Sequence, residues 1–517
     1  MTETARTLTR AERNARALST EHLSESIGSR TLRGGAIAIG AQVIRLVMQL
    51  GSTFVLARLL MPDDFGLVVL GWTTLNLITL FTDMGIGHAA IQRQNLDQDT
   101  ASGLFLIALG GGVLAALFAC AIAPLSAMAF KEPRVTWLVI ALSGQTILGC
   151  MGTIHHALLS RAMRWGDAQG ITLVSQITGV VAGVLAAWLT DLGYWALVVQ
   201  AWVSAATSTI LSWMACDWRP GWPKAWAGTR SAMAFGANMM GYGVLNFVRR
   251  QMDSAMIGWR WGTTELGFYS RAQTLLQTPL KFVDGPISYA LMPALGRLQN
   301  EPQKWRMAYL DGLAVITLVG GGLAALLGGG AGPIIEIVMG EGWDESKLIF
   351  AALVISMIPA TPMNTTELIY VSTGRTDRMF RWSLYSTPVY IAAFFIGLPY
   401  GATGLALCYG AAMWLTFWPC FKLAIRGTSL KMTDIYMTVA PPSIIAIAIG
   451  LALRFATERL GLAMDVFAIA VAGFAYLGAI AAAVWTLPNY RRIRDKVSDI
   501  LISRIARLGA ASGRTHP

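Results

Sequence analysis

Charge is what this chain is short of. Asp, Glu, Lys and Arg make up 13% of its 517 residues, about half of what a soluble protein of that length spreads over its surface. A large water-facing catalytic domain is excluded, because no polar stretch between the apolar runs is long enough to hold one. Cysteine is scarce as well. The five present (Cys120, Cys150, Cys216, Cys408, Cys420) lie in or beside apolar stretches without Cys-x-x-Cys spacing, so they read as small core residues and no disulfide framework or metal site is expected. Also missing are the phosphate loop G-x-x-x-x-G-K-[ST], the zinc helix H-E-x-x-H and the nucleophile elbow G-x-S-x-G, which removes direct ATP use and hydrolase chemistry from the expectations. His155 and His156 are adjacent and point to different helix faces, so they make no joint metal site. No cofactor is expected.

What remains is apolar: 55% of the residues are hydrophobic. Runs long enough to cross a bilayer recur at 34–58, 65–90, 102–127, 135–159, 169–190, 193–215, 231–257, 264–292, 309–329, 346–372, 381–400, 403–423, 435–455 and 463–487. The expected fold is an all-α integral membrane protein with about 14 transmembrane helices. Residues 1–33 carry six arginines and lack the apolar stretch and cleavage site of a secretory signal, so they read as a solvated tail. With the N-terminus inside, cytoplasmic segments hold 28 Lys and Arg and external segments seven (Arg58, Lys131, Arg134, Arg260, Lys347, Arg454, Arg459). That bias is the positive-inside rule, and it predicts both termini in the cytoplasm. The net charge of +11 therefore faces bilayer lipids, and no nucleic-acid partner is expected. Residues 488–517 form a basic amphipathic tail, with Ile493, Val497, Ile500, Leu501, Ile505 and Leu508 on one face.

Two stretches repeat. VLARLLMPDDFGLVVLGWTTLNLITLFTDM (55–84) and MIGWRWGTTELGFYSRAQTLLQTPLKFVDG (256–285) superpose without a gap at an offset of 201 residues, matching Asp64 to Glu265, Gly66 to Gly267 and Asp83 to Asp284. An even number of runs separates the copies, so the repeat is parallel, with an axis along the membrane normal. Six runs per copy give two lobes, 34–215 and 231–423, leaving 435–487 as two additional helices. Such duplications are characteristic of transporters.

Charges inside the runs mark the candidate site, because a charge at mid-membrane costs about 2.5–3.5 kcal/mol unless it faces a cavity or a partner. Arg45 lies in the first run and Arg249, Arg250 and Asp253 in the seventh; shifting Arg45 by the offset lands at 246, one turn from the arginine pair. Arg271, Lys281 and Asp284 lie in the eighth run, Asp83 in the second and Glu367 in the tenth. The arginines and the lysine suit an anionic cargo, since guanidinium forks match phosphate oxygens. Asp253, Asp83, Asp284 and Glu367 are candidates for coupling transport to H+ or Na+. Alternatives stand beside these: Arg249 and Arg250 are placed to pair with Asp253 on their own helix, Arg271 and Lys281 to snorkel, and Asp83 and Asp284 to end their helices.

Residues 34–93 contain an Arg-x-Leu-x-Pro-x-x-Phe-Gly turn (Arg58, Leu60, Pro62, Phe65, Gly66) followed by a helix ending Asp-x-Gly (Asp83, Gly85). With HALLSRAMRW (156–165), MDSAMIGWRWGTTELGFYSRAQTLLQTP (252–279) and IVMGEGWDES (337–346), this resembles the Wzx-like polysaccharide-transporter family of the multidrug/oligosaccharidyl-lipid/polysaccharide exporter superfamily. The resemblance runs along nearly the whole chain. It implies a MATE-like fold of two six-helix lobes in a V plus two helices, in the bacterial inner membrane. The implied activity is a flippase for undecaprenyl-pyrophosphate-linked oligosaccharide repeat units in exopolysaccharide, capsule or O-antigen assembly. The diphosphate would bind at the arginines between the lobes, and ion-coupled rocking would reverse exposure. A monomer working beside a polysaccharide polymerase and export machinery is the implied organisation. The rival readings are a lipid II flippase or a multidrug exporter of the same superfamily, and a membrane polymerase or ligase, which would carry a larger external loop than any here.

Overall fold

The computed structural model describes residues 27–82, 96–162, 164–223 and 227–460, with scattered residues of 9–18 and of 473–478 and Ala90; the side chains of 27–39, 79–82, 227–250 and most of 281–290 are outside the described set. Among the described residues the chain is helical throughout, with no strand. The helices are α1 (Ile27–Leu59), α2 (Pro62–Thr82), α3 (Gln98–Phe130), α4 (Arg134–Arg161), α5 (Trp165–Leu189) and α6 (Trp195–Ala215). A helical stretch Ala227–Arg297 follows, broken at Gly262, here called α7 before the break and α8 after it. Then come α9 (Pro302–Gly329), short α10 (Ala331–Met339), α11 (Asp344–Asn364), short α12 (Thr366–Ser372), α13 (Thr376–Gly397), α14 (Gly401–Ala424) and α15 (Met432–Leu460). Nine stretches of the described residues are long and apolar enough to span a bilayer. The predicted run 463–487 lies outside the described residues apart from isolated positions.

The break at Gly262 has a local cause. Its φ of 89° and ψ of −172° belong to a region that a side chain forbids, so glycine alone closes the seventh run and starts the eighth. In the first copy the same break is made by Pro62, which opens α2, and by Asp64, whose carboxylate accepts the Met61 backbone N–H at 3.0 Å. Pro359 and Pro362 sit inside α11, each removing a helical N–H, and the helix stops two residues after the second.

These helices are built for lipid. Leu117, Leu125 and Met128 on α3 and Trp188 and Leu189 on α5 are more than three-fifths exposed, an arrangement that water would punish and acyl chains solvate. Hydroxyls turn back on their own helices, as in Thr53 to the Gln49 carbonyl, Thr73 to Val69 and Ser126 to Ile122, because hydrocarbon offers them no other acceptor.

The chain divides into two compact units: residues 1–271 with 338–343 and 398–402, and the remainder. In the first unit α6 is tied to α4 by three donors in a row, Trp202 Nε1 to the Ala141 carbonyl (2.8 Å), Thr209 to Leu148 (2.7 Å) and Trp213 Nε1 to Met151 (2.9 Å). Gly179 and Gly183 of α5 lie so close to Gln200 that a methyl group at either would stand 2.8 Å from it, the close approach expected of small residues between membrane helices. A core of Phe105, Leu158, Trp218 and neighbours closes one end. Leu18 and Asn14 are buried there, and Asn14 exchanges hydrogen bonds with the Arg219 backbone. Part of the stretch read as a solvated tail is thus docked, because Leu18 finds apolar neighbours that the sequence pattern does not reveal.

In the second unit Trp305, Tyr309, Ile369, Tyr370, Phe417 and Phe421 belong to one buried cluster. Arg306 of α9 makes a two-pronged ion pair with Asp434 of α15 (2.9 and 2.6 Å). The glycines of α9 receive the C-terminal segment: Tyr476 lies against Gly321 and Gly322 and donates to the Leu318 carbonyl at 2.6 Å.

Candidate functional site

The two repeated turns meet. A methyl group at Gly66 would stand 1.7 Å from the Thr263 carbonyl oxygen, and one at Gly267 would stand 1.8 Å from the Pro62 carbonyl oxygen. Pro62 and Thr263 are themselves equivalent at the offset of 201, so the contact is reciprocal: glycine of each copy against carbonyl of the other. Only a residue without Cβ permits backbones this close. The matched acids act alike. Asp64 reaches the turn at Gly193 that precedes α6, and Glu265 accepts the Ala402 backbone N–H at 2.9 Å in the first turn of α14, where a carboxylate is favoured by the helix dipole.

Around this seam the symmetry ends and a latch begins. Asp63 accepts hydrogen bonds from the hydroxyls of Thr263 and Thr264 and pairs with Arg134 at 2.9 Å. Arg134 at the same time grips Glu132 with two bonds (2.8 and 3.0 Å), and these hold the Glu132 carboxyl below the usual glutamate range. Trp343 is inserted between Phe65 and Phe268 with ring centres 5.7 and 5.9 Å away, and its Nε1 donates to the Ala57 carbonyl at 3.1 Å. Arg58 stacks on Phe54 and donates to the Val338 carbonyl at 2.9 Å. The motif residues Arg58, Pro62, Phe65 and Gly66 therefore serve one purpose, closing this end of the unit. Nothing in the sequence reading assigned them that. The signal was present in the pairing of Gly66 with Gly267, and Asp63 lies in the same turn, while nothing along the chain ties Glu132, Arg134 or Trp343 to that turn.

The intramembrane charges lie below the seam. At 1.5 Å per residue, Arg271 and Asp253 are each about 14 Å from the Gly262 break, Arg250 and Arg249 about 18 and 20 Å, and Lys281 and Asp284 about 29 and 33 Å along their helices; Arg45 is about 21 Å from the end of α1. Arg271 stacks on the Phe65 ring, its guanidinium carbon 4.2 Å from the centroid, and its Nε is enclosed with no hydrogen-bond partner among the described residues. Arg45 is half-buried and its enclosed Nε is equally unpartnered among them. Asp253 is buried and engaged by the Tyr269 hydroxyl at 2.8 Å and the Ser254 backbone N–H at 2.6 Å. Glu367 is exposed in the first turn of α12. The side chains of Arg249, Arg250, Lys281 and Asp284, and Asp83 altogether, lie outside the described residues. Among those that are described, no three His, Cys, Asp or Glu approach closely enough to hold a metal.

Residues 55–348 match the family described as polysaccharide biosynthesis protein. The chain is 22% identical over 487 residues to the succinoglycan biosynthesis transport protein ExoT of Rhizobium meliloti (strain 1021), covering 92% of this chain and 97% of that one. It is also 22% identical to the lipopolysaccharide biosynthesis protein WzxC of Escherichia coli (strain K12), over 74% of this chain and 78% of that one. Its fold is similar to that of the lipid II flippase MurJ in an inward closed conformation (TM-score 0.69, 11% identity, 89% of this chain and 99% of that one). An inward-facing multidrug resistance MATE transporter follows (TM-score 0.59, 12% identity, 75% and 96%).

Proposed function

Because the chain belongs to the polysaccharide biosynthesis protein family, within the multidrug/oligosaccharidyl-lipid/polysaccharide exporter superfamily, we propose that its cargo is an oligosaccharide repeat unit on undecaprenyl pyrophosphate. The protein is a multi-pass membrane transporter, a flippase for lipid-linked polysaccharide precursors, and not an enzyme. The cargo moves from the cytoplasmic to the outer leaflet of the inner membrane, with both termini cytoplasmic and the seam at the outer face. The observation that carries the choice of an anionic cargo is the pair of enclosed guanidinium nitrogens of Arg45 and Arg271, which have no hydrogen-bond partner among the described residues. A buried donor without an acceptor costs about 1–3 kcal/mol, and more when charged, which a diphosphate oxygen would return on binding.

Arg271 also connects cargo to closure. Its present neighbour is the face of Phe65, a residue of the seam. An arriving phosphate is bound by the in-plane N–H groups of the same guanidinium whose face rests on Phe65, so cargo and seam share one side chain. Arg249, Arg250 and Lys281 are further candidate cations for the cargo. Asp253 is a coupling candidate, since a proton or Na+ arriving there weakens the bonds that its carboxylate accepts from Tyr269 and Ser254; Asp83, Asp284 and Glu367 are further candidates. A polymerase and export machinery would consume the product.

The test is a deletion strain analysed for lipid-linked repeat units. Loss of surface polymer with repeat units retained on the cytoplasmic leaflet, and unchanged drug sensitivity, is expected. Intact polymer in that strain overturns the reading.

A further inference from the structure

Just past the end of α6 is a cavity that the transport cycle leaves unused. It holds about 510 Å³ and is lined by Arg10, Trp213, Asp217, Arg219 and Pro220, a volume ordinary for a small-molecule site. Its floor is fixed by hydrogen bonds from Trp218 Nε1 to Gln98 (2.8 Å), from the Arg219 backbone to Asn14 (2.9 Å) and from the Gly221 backbone to Ser102 (3.0 Å). Arg10 crosses one wall and spends a single N–H on the Pro220 carbonyl at 2.7 Å. Arg219 commits Nη1 to the Cys216 and Trp218 carbonyls and lies over Trp213, 5.5 Å from its ring. Each guanidinium carries five N–H groups, so both keep donors for a ligand. Trp213 is held rigid by the Met151 carbonyl and by stacking on buried His155 at 4.4 Å. Opposite the two cations, Asp217 is exposed and makes no ion pair among the described residues.

The walls thus offer two cations and one carboxylate. Ile210 and Met214, on the last turns of α6, are 57% and 73% exposed, so the helix that leads into the cavity presents apolar side chains to acyl chains. We propose that this cavity binds the head group of a zwitterionic aminophospholipid. The phosphodiester sits between Arg10 and Arg219, and the primary ammonium meets Asp217. A purely anionic head group would leave Asp217 facing like charge, and a choline head group has no N–H to give it. The N-terminal arm, which supplies Arg10, is thereby pinned to the bilayer.

The experiment is native mass spectrometry of the full chain in detergent, titrated separately with phosphatidylethanolamine, phosphatidylglycerol and phosphatidylcholine. Phosphatidylethanolamine is expected to bind tightest. Asp217→Asn should weaken it about tenfold, the worth of one charge-assisted hydrogen bond, and Arg10→Ala should weaken all three lipids. Both side chains are exposed, so unchanged thermal unfolding confirms that the variants fold. Equal binding of phosphatidylglycerol by the parent, or unchanged phosphatidylethanolamine binding by Asp217→Asn, overturns the proposal. So does full competition by soluble phosphoethanolamine at the lipid's own concentration, which would make the free head group the ligand.

Discussion

Gly66→Ala puts the seam under a measurable load. The new Cβ would lie 1.7 Å from the Thr263 carbonyl oxygen, where ordinary contact begins at 3.4 Å, so the turns must separate by about 1.7 Å or distort. Overpacking of this kind costs about 1–3 kcal/mol, and here the neighbour is backbone that cannot rotate aside. If the closed seam is one state of a transporter whose states differ by a few kcal/mol, that load shifts the population towards the open form about 5- to 150-fold. The reporter is Ser270→Cys, at a buried position one turn beyond Gly267, challenged with a membrane-impermeant maleimide from outside the cell. Labelling is expected to be slow in the parent and at least about tenfold faster with Gly66→Ala. Gly267→Ala, its equivalent, should accelerate it similarly. Gly110→Ala, where a methyl group meets nothing within 4 Å, should leave the rate unchanged. Should Gly66→Ala compromise insertion, Asp63→Asn loosens the latch with no added volume and should act in the same direction. Labelling that is equally slow in all these variants refutes the seam as a moving closure.

Three further outcomes are expected. Arg45→Ala should abolish complementation of the deletion strain at unchanged protein level, with Arg45→Lys retaining part of it; full activity of the alanine variant removes Arg45 from the site. Glu132 has its carboxyl held below the usual value by Arg134, so its contribution is complete above the ordinary glutamate pKa of about 4.3 and is lost as pH falls through the lowered value. Thermal stability, read by fluorescence-detected size-exclusion after heating, should accordingly fall as pH drops below the ordinary glutamate range, and Glu132→Gln should flatten that fall. In the second unit, Asp434→Asn breaks the bidentate pair with Arg306 and should lower thermal stability by about 1–3 kcal/mol, read by fluorescence-detected size-exclusion after heating.

Most of the helices were legible because hydrocarbon imposes a length and a composition that no other environment requires. The seventh and eighth runs were separated at the right place, although the helical stretch is continuous apart from one residue: the polar interval Trp259–Thr264 marks the break, and Gly262 supplies the only conformation that makes it. The short α12 was not anticipated, since the prolines that end α11 lie inside an unbroken apolar run and hydropathy averages over them. Among the charges, Arg45 stood out because nothing acidic lies within four residues. Asp253 read as a coupling candidate, with a pair to Arg249 or Arg250 on its own helix as the alternative; its engagement with Tyr269, 16 residues away, depends on how α7 and α8 lie beside each other.

By itself the sequence determined that the chain lives in a bilayer and which residues of its two repeated stretches correspond. Those are local or periodic properties, set by transfer energies of single side chains and by the offset of 201. What only the tertiary structure decided is what the correspondence is for. Gly66 and Gly267 were recognisable as a pair, but that each lies against the other copy's carbonyl follows from two backbones approaching closer than any Cβ allows, an event between residues about 200 positions apart. The latch of Asp63, Arg134 and Thr263 and the wedge of Trp343 join four separate segments of the chain, and no pattern along one of them carries the distance to the next.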